Sequence, residues 1–277
     1  MFTIINKQDS KIDSVTKYIL SDSQFGKNEV SVIRKSTKDI IVLPSQTNCV
    51  MGCSFCHLTG TTRPTKNLTS SWFVDVVRFV IGTERLGSKT ILISFMGAGE
   101  PLLNIGYILS GITTIHSQIE NVRFAICSVI PSQASIERLI EWKLEHSDIS
   151  LKLHLSVHGI ENRDKIVKSI VDIREAIEYV KEYSEKTNSP IEYHYTLVNG
   201  VNDGMDLESF RWLVLPMTNA TIKFLTLSEN GNCSETDVTK EHLMLLFDGM
   251  NIEFYDPPGR DVGSSCGMFD KSIYMEC

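Results

Sequence analysis

The chain has 277 residues, and its content of 42% hydrophobic and 22% charged residues is that of a globular protein with one large core. Its formal net charge of −7 excludes a protein that attracts nucleic acid over its whole surface, because such binding depends on Lys and Arg neutralising phosphates. The seven cysteines, without a secretory leader, favour metal or redox chemistry over disulfides, and no apolar run is long enough to span a membrane, so we expect a cytoplasmic protein with no membrane partner.

The first 38 residues differ from the rest of the chain. They predict a short N-terminal α/β extension over residues 1–38, with a short helix at 9–20 and an edge strand at 29–33 beside a turn-prone Gly-Lys-Asn. Residues 39–277 are predicted to form a barrel whose C-terminal loop carries Cys266.

From residue 40 onward, short apolar runs alternate with segments of helical periodicity, which predicts β/α units and a parallel sheet. Residues 170, 173, 177 and 180, for example, form one apolar helical stripe. The fold class is therefore α/β, as an incomplete (β/α)6 barrel. The predicted strands cover about 40–43, 90–95, 122–127, 151–157, 191–198, 221–227 and 251–255, and the predicted helices about 70–82, 105–119, 133–145, 170–185, 206–215 and 239–248.

Three cysteines lie in the loop after the first barrel strand, at the edge of the sheet where ligand sites are expected. Cys49, Cys53 and Cys56 have the spacing C-x3-C-x2-C, with no fourth ligand at a suitable distance. A structural zinc site normally takes four ligands, and three core cysteines would not be expected in a segment rich in Gly, Ser and Thr. Three thiolates can instead hold a [4Fe–4S] cluster and leave one iron open.

A second motif, Gly-Ala-Gly-Glu-Pro at 97–101, follows the next predicted strand. Glycines at a strand end let the backbone approach a ligand closely, and the carboxylate of Glu100 can accept a hydrogen bond from an ammonium group.

These two motifs together resemble the radical S-adenosylmethionine (radical SAM) superfamily, and within it the RlmN/Cfr-type RNA adenine methyltransferases. The resemblance extends over about residues 25–277 and includes Phe55, in the aromatic position before the last cluster cysteine. The other matching segments are 44–46, 66–69, 96–104, 155–158, 201–204 and 264–267.

The resemblance implies a two-SAM mechanism. One SAM methylates a cysteine sulfur, and a second SAM, cleaved reductively at the cluster, provides the 5'-deoxyadenosyl radical that abstracts hydrogen from the S-methyl group. The carbon radical then adds to a purine carbon, and a resolving cysteine releases the product by forming a disulfide.

Residue by residue, the resemblance implies that Cys266 carries the methyl group and that Glu29 accepts a proton. The [4Fe–4S] cluster is implied on Cys49, Cys53 and Cys56. The implied SAM contacts are Gly99, Glu100, Ser156, Val157, His158, Ser128 and Ser228. The last two lie at or near positions where this chain has replaced a SAM-binding residue of the family.

The chain also departs from the family. The resolving cysteine is replaced by Val42, and the thiols that are candidates to substitute for it are Cys127, Cys233 and Cys277. The family's N-terminal helical domain has no counterpart in residues 1–38. A basic strip at Arg34, Lys35, Lys38, Arg63 and Lys66 is an alternative route to RNA.

Two enzymatic hypotheses follow from these matches and departures. The first is RlmN/Cfr-like methyl transfer through S-methyl-Cys266 to a purine of a nucleoside, nucleotide or RNA, with a large RNA disfavoured by the acidic charge. The alternative is direct action of the deoxyadenosyl radical on a small nucleoside-like or peptide substrate, with Cys266 as hydrogen-atom donor. Both need a reducing electron donor such as flavodoxin or ferredoxin. A non-catalytic iron–sulfur or zinc protein is a third hypothesis, which gives Glu100 no role.

Overall fold

The computed structural model describes residues 2–168, 171–216, 219–227 and 233–275. Within those residues, ten strands form one continuous sheet in which each strand pairs with its neighbours in sequence. The strands are β1 (Thr3–Asp9), β2 (Val15–Asp22), β3 (Gly26–Arg34), β4 (Lys38–Val42), β5 (Thr90–Phe95), β6 (Val122–Ser128), β7 (Leu151–Ser156), β8 (Ile191–Thr196), β9 (Ala220–Leu225) and β10 (Ile252–Tyr255).

Strands β4 to β10 are all parallel, and a helix lies between each successive pair. The helices are α1 (Ser70–Glu84), α2 (Ile105–His116), α3 (Gln133–Glu145), α4 (Ile173–Thr187), α5 (Met205–Val214) and α6 (Lys240–Leu246). The predicted (β/α)6 architecture is confirmed. Among these described helices, none combines the length and apolarity that a membrane crossing requires.

The start of α4 illustrates how local chemistry sets element boundaries. The side chain of Asp172 accepts a hydrogen bond from the Arg174 amide at 2.7 Å and caps the helix. The helix therefore begins at Ile173, later than the predicted residue 170, which lies outside the described residues. Ile177, from the predicted apolar stripe, is buried in the core.

Side chains alternate in direction along the barrel strands. Leu153 and Tyr193 belong to the main apolar core, which also contains the buried faces of α1 to α5. The alternate positions include the buried polar residues His154, Glu192 and His194. The face of the sheet that points into the barrel, opposite the helices, therefore carries these polar side chains.

The predicted helix at 9–20 is wrong, because β1 and β2 occupy most of that segment. A turn held by the Asp13 amide donating to the Ser10 hydroxyl at 3.1 Å precedes β2. Strand β2 pairs antiparallel with both β1 and β3, and this tertiary pairing overrides the weak local helical pattern. Glu29 is likewise not on an edge strand, because β3 pairs with both β2 and β4.

Candidate functional site

Three cysteines meet in the loop between β4 and α1. The Cys56 amide donates to the Cys53 carbonyl at 3.0 Å, and the Thr59 hydroxyl donates to the same carbonyl at 2.6 Å. Cys49, Cys53 and Cys56 pack against a common apolar cluster, and a charge on Cys49 or Cys53 raises the pKa of Cys56. The loop therefore brings the three sulfur atoms into one electrostatic environment.

Burial controls the acidity of these thiols. It raises the pKa of Cys49 to about 11 and that of Cys53 to about 12, and it also raises the pKa of Cys56. Hydrogen bonds from the backbone of Met51 and Gly99 favour the Cys49 thiolate. Buried thiolates with amide donors fit an iron–sulfur cluster, since the positive metal replaces the proton and amide hydrogen bonds tune the sulfur.

The backbone after β5 lies directly against the start of this loop. The amides of Ser45 and Gln46 donate to the Ala98 carbonyl at 2.7 and 3.1 Å. Gly99 has a φ of +102°, and a Cβ built on it would lie 2.4 Å from Ser45 Oγ and 2.7 Å from the Gln46 amide nitrogen. Both the backbone conformation and the close approach therefore require glycine at this position.

We expect Gly99→Ala to lower the free energy of unfolding by about 2–6 kcal/mol, the sum of a strained backbone and an overpacked contact. The matched control is Gly82→Ala inside α1, where an added Cβ meets nothing within 4 Å. That control should raise stability by about 0.5–1 kcal/mol. Urea unfolding followed by circular dichroism measures both, and equal effects of the two substitutions would contradict the packing described here.

Glu100 is buried and hydrogen-bonded on both carboxylate oxygens. Its Oε1 accepts from the Ser128 hydroxyl at 2.6 Å and the Leu102 amide at 2.9 Å, and its Oε2 accepts from the Val129 amide at 3.1 Å. Burial raises the pKa of Glu100, and these bonds oppose the rise. A carboxylate offers about four lone-pair sites, so one more donor, such as an ammonium group, can be accepted.

His158 lies just after β7 in a left-handed conformation with a φ of +53°. Its Nδ1 accepts the Thr196 amide at 3.0 Å, and burial, together with the charge of Arg163, lowers the pKa of His158 to about 3. The imidazole is therefore neutral. The ring of Phe55 packs against it edge to face at 5.0 Å, which joins this strand end to the cysteine loop.

Arg163 is a buried cation that the sequence analysis missed. It donates to the carbonyls of Val157 at 2.9 Å, Val129 at 3.2 Å and Ser156 at 3.2 Å, and so holds the ends of β6 and β7 together. Burial lowers the pKa of Arg163 to about 10, which leaves it charged at neutral pH. Burial raises the pKa of Cys53, and the charge of Arg163 opposes that rise and so favours the thiolate form.

A cavity of about 80 Å³ lies between the N-terminal strands, β4 and the C-terminal loop. Its lining includes Glu29 of β3, Val42 of β4 and Cys266. Burial raises the pKa of Cys266 to about 11. Among the described residues that line the cavity, Cys266 is the one thiol, and the side chain on the β4 side is the apolar Val42.

The loop that carries Cys266 is held from two sides. On one side, the Gly259 amide donates to Asp13 at 2.7 Å, and the hydroxyl of Ser264 donates to Ser31 of β3. On the other side, the His57 amide donates to the Gly267 carbonyl at 2.8 Å. The N-terminal strands and the cysteine loop thus position Cys266 together.

Lys17 is a second residue that the sequence analysis missed. Its ammonium group lies 3.1 Å from Glu29 Oε1 and donates to the Gly263 carbonyl at 2.9 Å, and both charged side chains are buried. The Asp270 amide also donates to Glu29 Oε1, at 2.8 Å. Burial raises the pKa of Glu29, and the charge of Lys17 is the largest influence against that rise.

Of the candidate substitutes for the resolving thiol, Cys127 and Cys233 are not among the residues that line the cavity around Cys266. Cys127 Sγ contacts Ser156 Oγ at 3.2 Å, and Cys233 Sγ lies 3.5 Å from Ser54 Oγ beside the cysteine loop. Cys277 and the proposed SAM contact Ser228 lie outside the described residues.

Proteins similar in sequence to this chain are named as RNA methyltransferases. A probable dual-specificity RNA methyltransferase RlmN of Gloeobacter violaceus is 30% identical over 200 residues, which cover 71% of this chain and 56% of the relative. A protein of the same name from Thermotoga neapolitana is 27% identical over 278 residues, which cover 95% of this chain and 78% of the relative. The chain therefore spans little more than half the length of some of these relatives. No protein-family model matches it.

Solved structures agree with this relationship at the level of the fold. A crystal structure described as a radical SAM methyltransferase from Sphaerobacter thermophilus superposes with a TM-score of 0.82 at 19% identity, covering 98% of this chain and 81% of that one. The predicted partial radical SAM barrel is therefore confirmed, and the names of the curated relatives confirm the resemblance to the RlmN type.

Proposed function

We propose, from the premise that this chain is a homologue of the RlmN-type radical SAM methyltransferases, that it transfers a methyl-derived carbon to a purine through Cys266. The observation that carries the proposal is the cavity shared by Cys266 and Glu29, which are 237 positions apart in the sequence. A thiol that accepts a carbon and a carboxylate that accepts a proton are two of the groups that this reaction needs.

Cys49, Cys53 and Cys56 would hold the [4Fe–4S] cluster, which supplies the electron for reductive cleavage of SAM. Glu100, hydrogen-bonded to Ser128, would receive the SAM ammonium group. Further SAM contacts are proposed at Gly99, Ser156, Val157, His158 and Ser228.

In the proposed cycle, the Cys266 sulfur takes a methyl group from one SAM, which leaves S-adenosylhomocysteine. Hydrogen abstraction from that methyl group then allows the carbon to join the purine ring, and Glu29 accepts the proton displaced from the ring carbon. Breaking the remaining bond between carbon and sulfur requires a thiolate that forms a disulfide with Cys266. The released carbon takes up a proton to become the methyl group, and the one unpaired electron would return to the oxidised cluster, which balances the electron spent in cleaving SAM. Because Val42 cannot supply the thiolate, we expect product release to need an added thiol.

The experiment uses SAM with a deuterated methyl group and separate pools of RNA, nucleosides and peptides. Methyl transfer predicts a labelled purine, with S-adenosylhomocysteine and 5'-deoxyadenosine in about equal amounts. Omitting dithiothreitol should leave the purine attached to Cys266, as a mass increase on the peptide that contains it. A labelled purine released equally well without any thiol would contradict the proposed release step.

Direct radical chemistry on a small substrate is the second candidate function, and two observations favour it. Val42 leaves Cys266 as the one thiol among the described residues that line the cavity, and the cavity volume of about 80 Å³ accommodates only a small group. Production of 5'-deoxyadenosine without S-adenosylhomocysteine would favour this candidate over methyl transfer.

The contacts of the basic strip bear on the proposed substrate. Arg34 is paired with Glu84, and Arg63 donates to the Phe25 carbonyl at 2.5 Å, so neither guanidinium is fully available to phosphate. We therefore propose a nucleoside, a nucleotide or a short single-stranded RNA as substrate. The proposed electron donor is a small redox protein such as flavodoxin or ferredoxin.

Lys17→Met should shift the pH dependence of turnover. Without the lysine charge, burial raises the pKa of Glu29 further, so the carboxylate stays protonated to higher pH and the acid limb of the rate profile moves upward. Lys17→Arg should keep the profile, and Lys240→Met, on the exposed surface and outside the basic strip, is the matched control. An unchanged acid limb in Lys17→Met would exclude Glu29 as the base.

A further inference from the structure

Three side chains of the types that bind metals converge inside the barrel, and none of them is one of the three loop cysteines. Cys127 of β6, His154 of β7 and His194 of β8 have ligand atoms that all lie within 4.8 Å of one another. The strand register explains this, because Cys127 pairs with His154, and His154 pairs with Glu192, two residues before His194. Residues two apart on a strand face the same side.

His154 supplies a second, independent observation. The residue is 7% exposed, and among the described residues neither of its ring nitrogens has a hydrogen-bond partner. Glu192 Oε2 lies 3.6 Å from Nε2, beyond hydrogen-bond distance. Buried polar atoms without partners are uncommon because leaving them unpaired costs free energy, and a bound metal ion would supply the missing partner.

His194 has the arrangement typical of a metal-binding histidine. Its Nδ1 lies 3.7 Å from Cys127 Sγ, and its Nε2 lies 3.3 Å from Glu192 Oε2. A carboxylate on the far nitrogen orients such a ring and makes it a better donor. A tetrahedral zinc ion, with bonds of about 2.3 Å to sulfur and about 2.0–2.1 Å to nitrogen, places those two ligand atoms about 3.6 Å apart.

The surrounding charges allow a cation at this position. Glu192 pairs with Lys152 at 2.6 Å and with Lys223 at 2.8 Å, and Lys223 pairs also with Glu253 at 3.3 Å. These two lysines and two glutamates cancel, and Lys38, whose pKa is lowered by burial and by the charges of Lys152 and Lys223, lies near the same group. A divalent ion bound with the Cys127 thiolate would therefore add a single positive charge.

We propose that Cys127, His154 and His194 form a mononuclear site for a divalent transition metal of borderline softness, with Zn²⁺ as the fitting ion. One thiolate and two imidazoles are a common zinc ligand set, and three protein ligands leave a fourth position for water. The site ties β6, β7 and β8 together inside the barrel. It does not depend on the function proposed for the loop cysteines.

The test uses the full chain, reconstituted with iron and sulfide so that the loop cysteines are occupied, then supplied with ZnCl₂ and desalted over a chelating resin. Elemental analysis should find about one zinc beside about four irons per chain. Cys127→Ser and His154→Gln should each lower zinc at least tenfold. His116→Gln and Cys233→Ser are the matched controls for losing a histidine and a thiol, and both should keep the zinc.

X-ray absorption at the zinc edge of the unmutated protein should find one sulfur at about 2.3 Å and about three nitrogen or oxygen atoms at about 2.0–2.1 Å, two from the histidines and one from water. This measurement does not depend on how any variant folds. If the iron cluster fails to load, the same zinc measurement on a variant with Cys49, Cys53 and Cys56 all changed to alanine separates the two sites. Absence of zinc from the unmutated protein, a three-sulfur shell, or zinc retained in both ligand variants would overturn the proposal.

Discussion

Cys53→Ala should abolish cluster loading and reductive SAM cleavage. The remaining thiols of Cys49 and Cys56 cover only two irons, so we expect iron to fall from about four to below about one per chain. Formation of 5'-deoxyadenosine should fall at least about 1000-fold, since the electron no longer has a path to SAM. Anaerobic reconstitution, elemental analysis and chromatography of the SAM products measure both effects.

Two controls make the Cys53 result specific. Cys233→Ser removes a thiol that packs beside the same loop and should load iron normally. Circular dichroism should report the same secondary structure for both variants, because Cys53 belongs to a loop and not to the barrel strands. Full iron loading in Cys53→Ala would exclude the three-cysteine cluster.

Cys266→Ala should separate the two SAM-dependent reactions. The loop cysteines are unchanged, so reductive cleavage to 5'-deoxyadenosine should continue within about threefold of the unmutated rate. Labelled purine and S-adenosylhomocysteine should both fall at least about 1000-fold, because no sulfur remains to accept the methyl group. The mass spectrum of the intact variant should also lack the methyl adduct that is expected on Cys266 of the unmutated protein.

Ser265→Ala is the matched control for disturbance of this loop. The Ser265 hydroxyl donates to the Pro257 carbonyl at 2.8 Å, so its removal loosens the loop while leaving the thiol in place. We expect methyl transfer to weaken in Ser265→Ala but to remain measurable. If Cys266→Ala continued to form S-adenosylhomocysteine with substrate, the sulfur could not be the methyl acceptor.

The barrel was predictable because its signals are local. Each strand and helix shows its periodicity over a few consecutive residues, so the elements between β4 and β10 lie within a few positions of their predicted bounds. The N-terminal segment was harder, since β2 is a strand only because β1 and β3 pair with it on both sides.

The same contrast holds in the candidate site. The cysteine spacing and the Gly-Ala-Gly-Glu motif are local patterns and were recognised. Arg163 and Lys17 were missed because their importance depends on distant groups, such as the Gly263 carbonyl, 246 positions from Lys17. A basic residue looks ordinary in a sequence until the fold buries it against such a partner.

The contacts of the Cys266 loop with the N-terminal strands impose an order on folding. Asp13 and Lys17 can make them only after Gly259 and Gly263, each 246 positions later, have been brought against them. Contacts between segments so distant in sequence are slow to form, because a long loop of chain must be closed first. The cavity around Glu29 and Cys266 is therefore expected to be among the last parts of the fold to assemble, after the local β/α units.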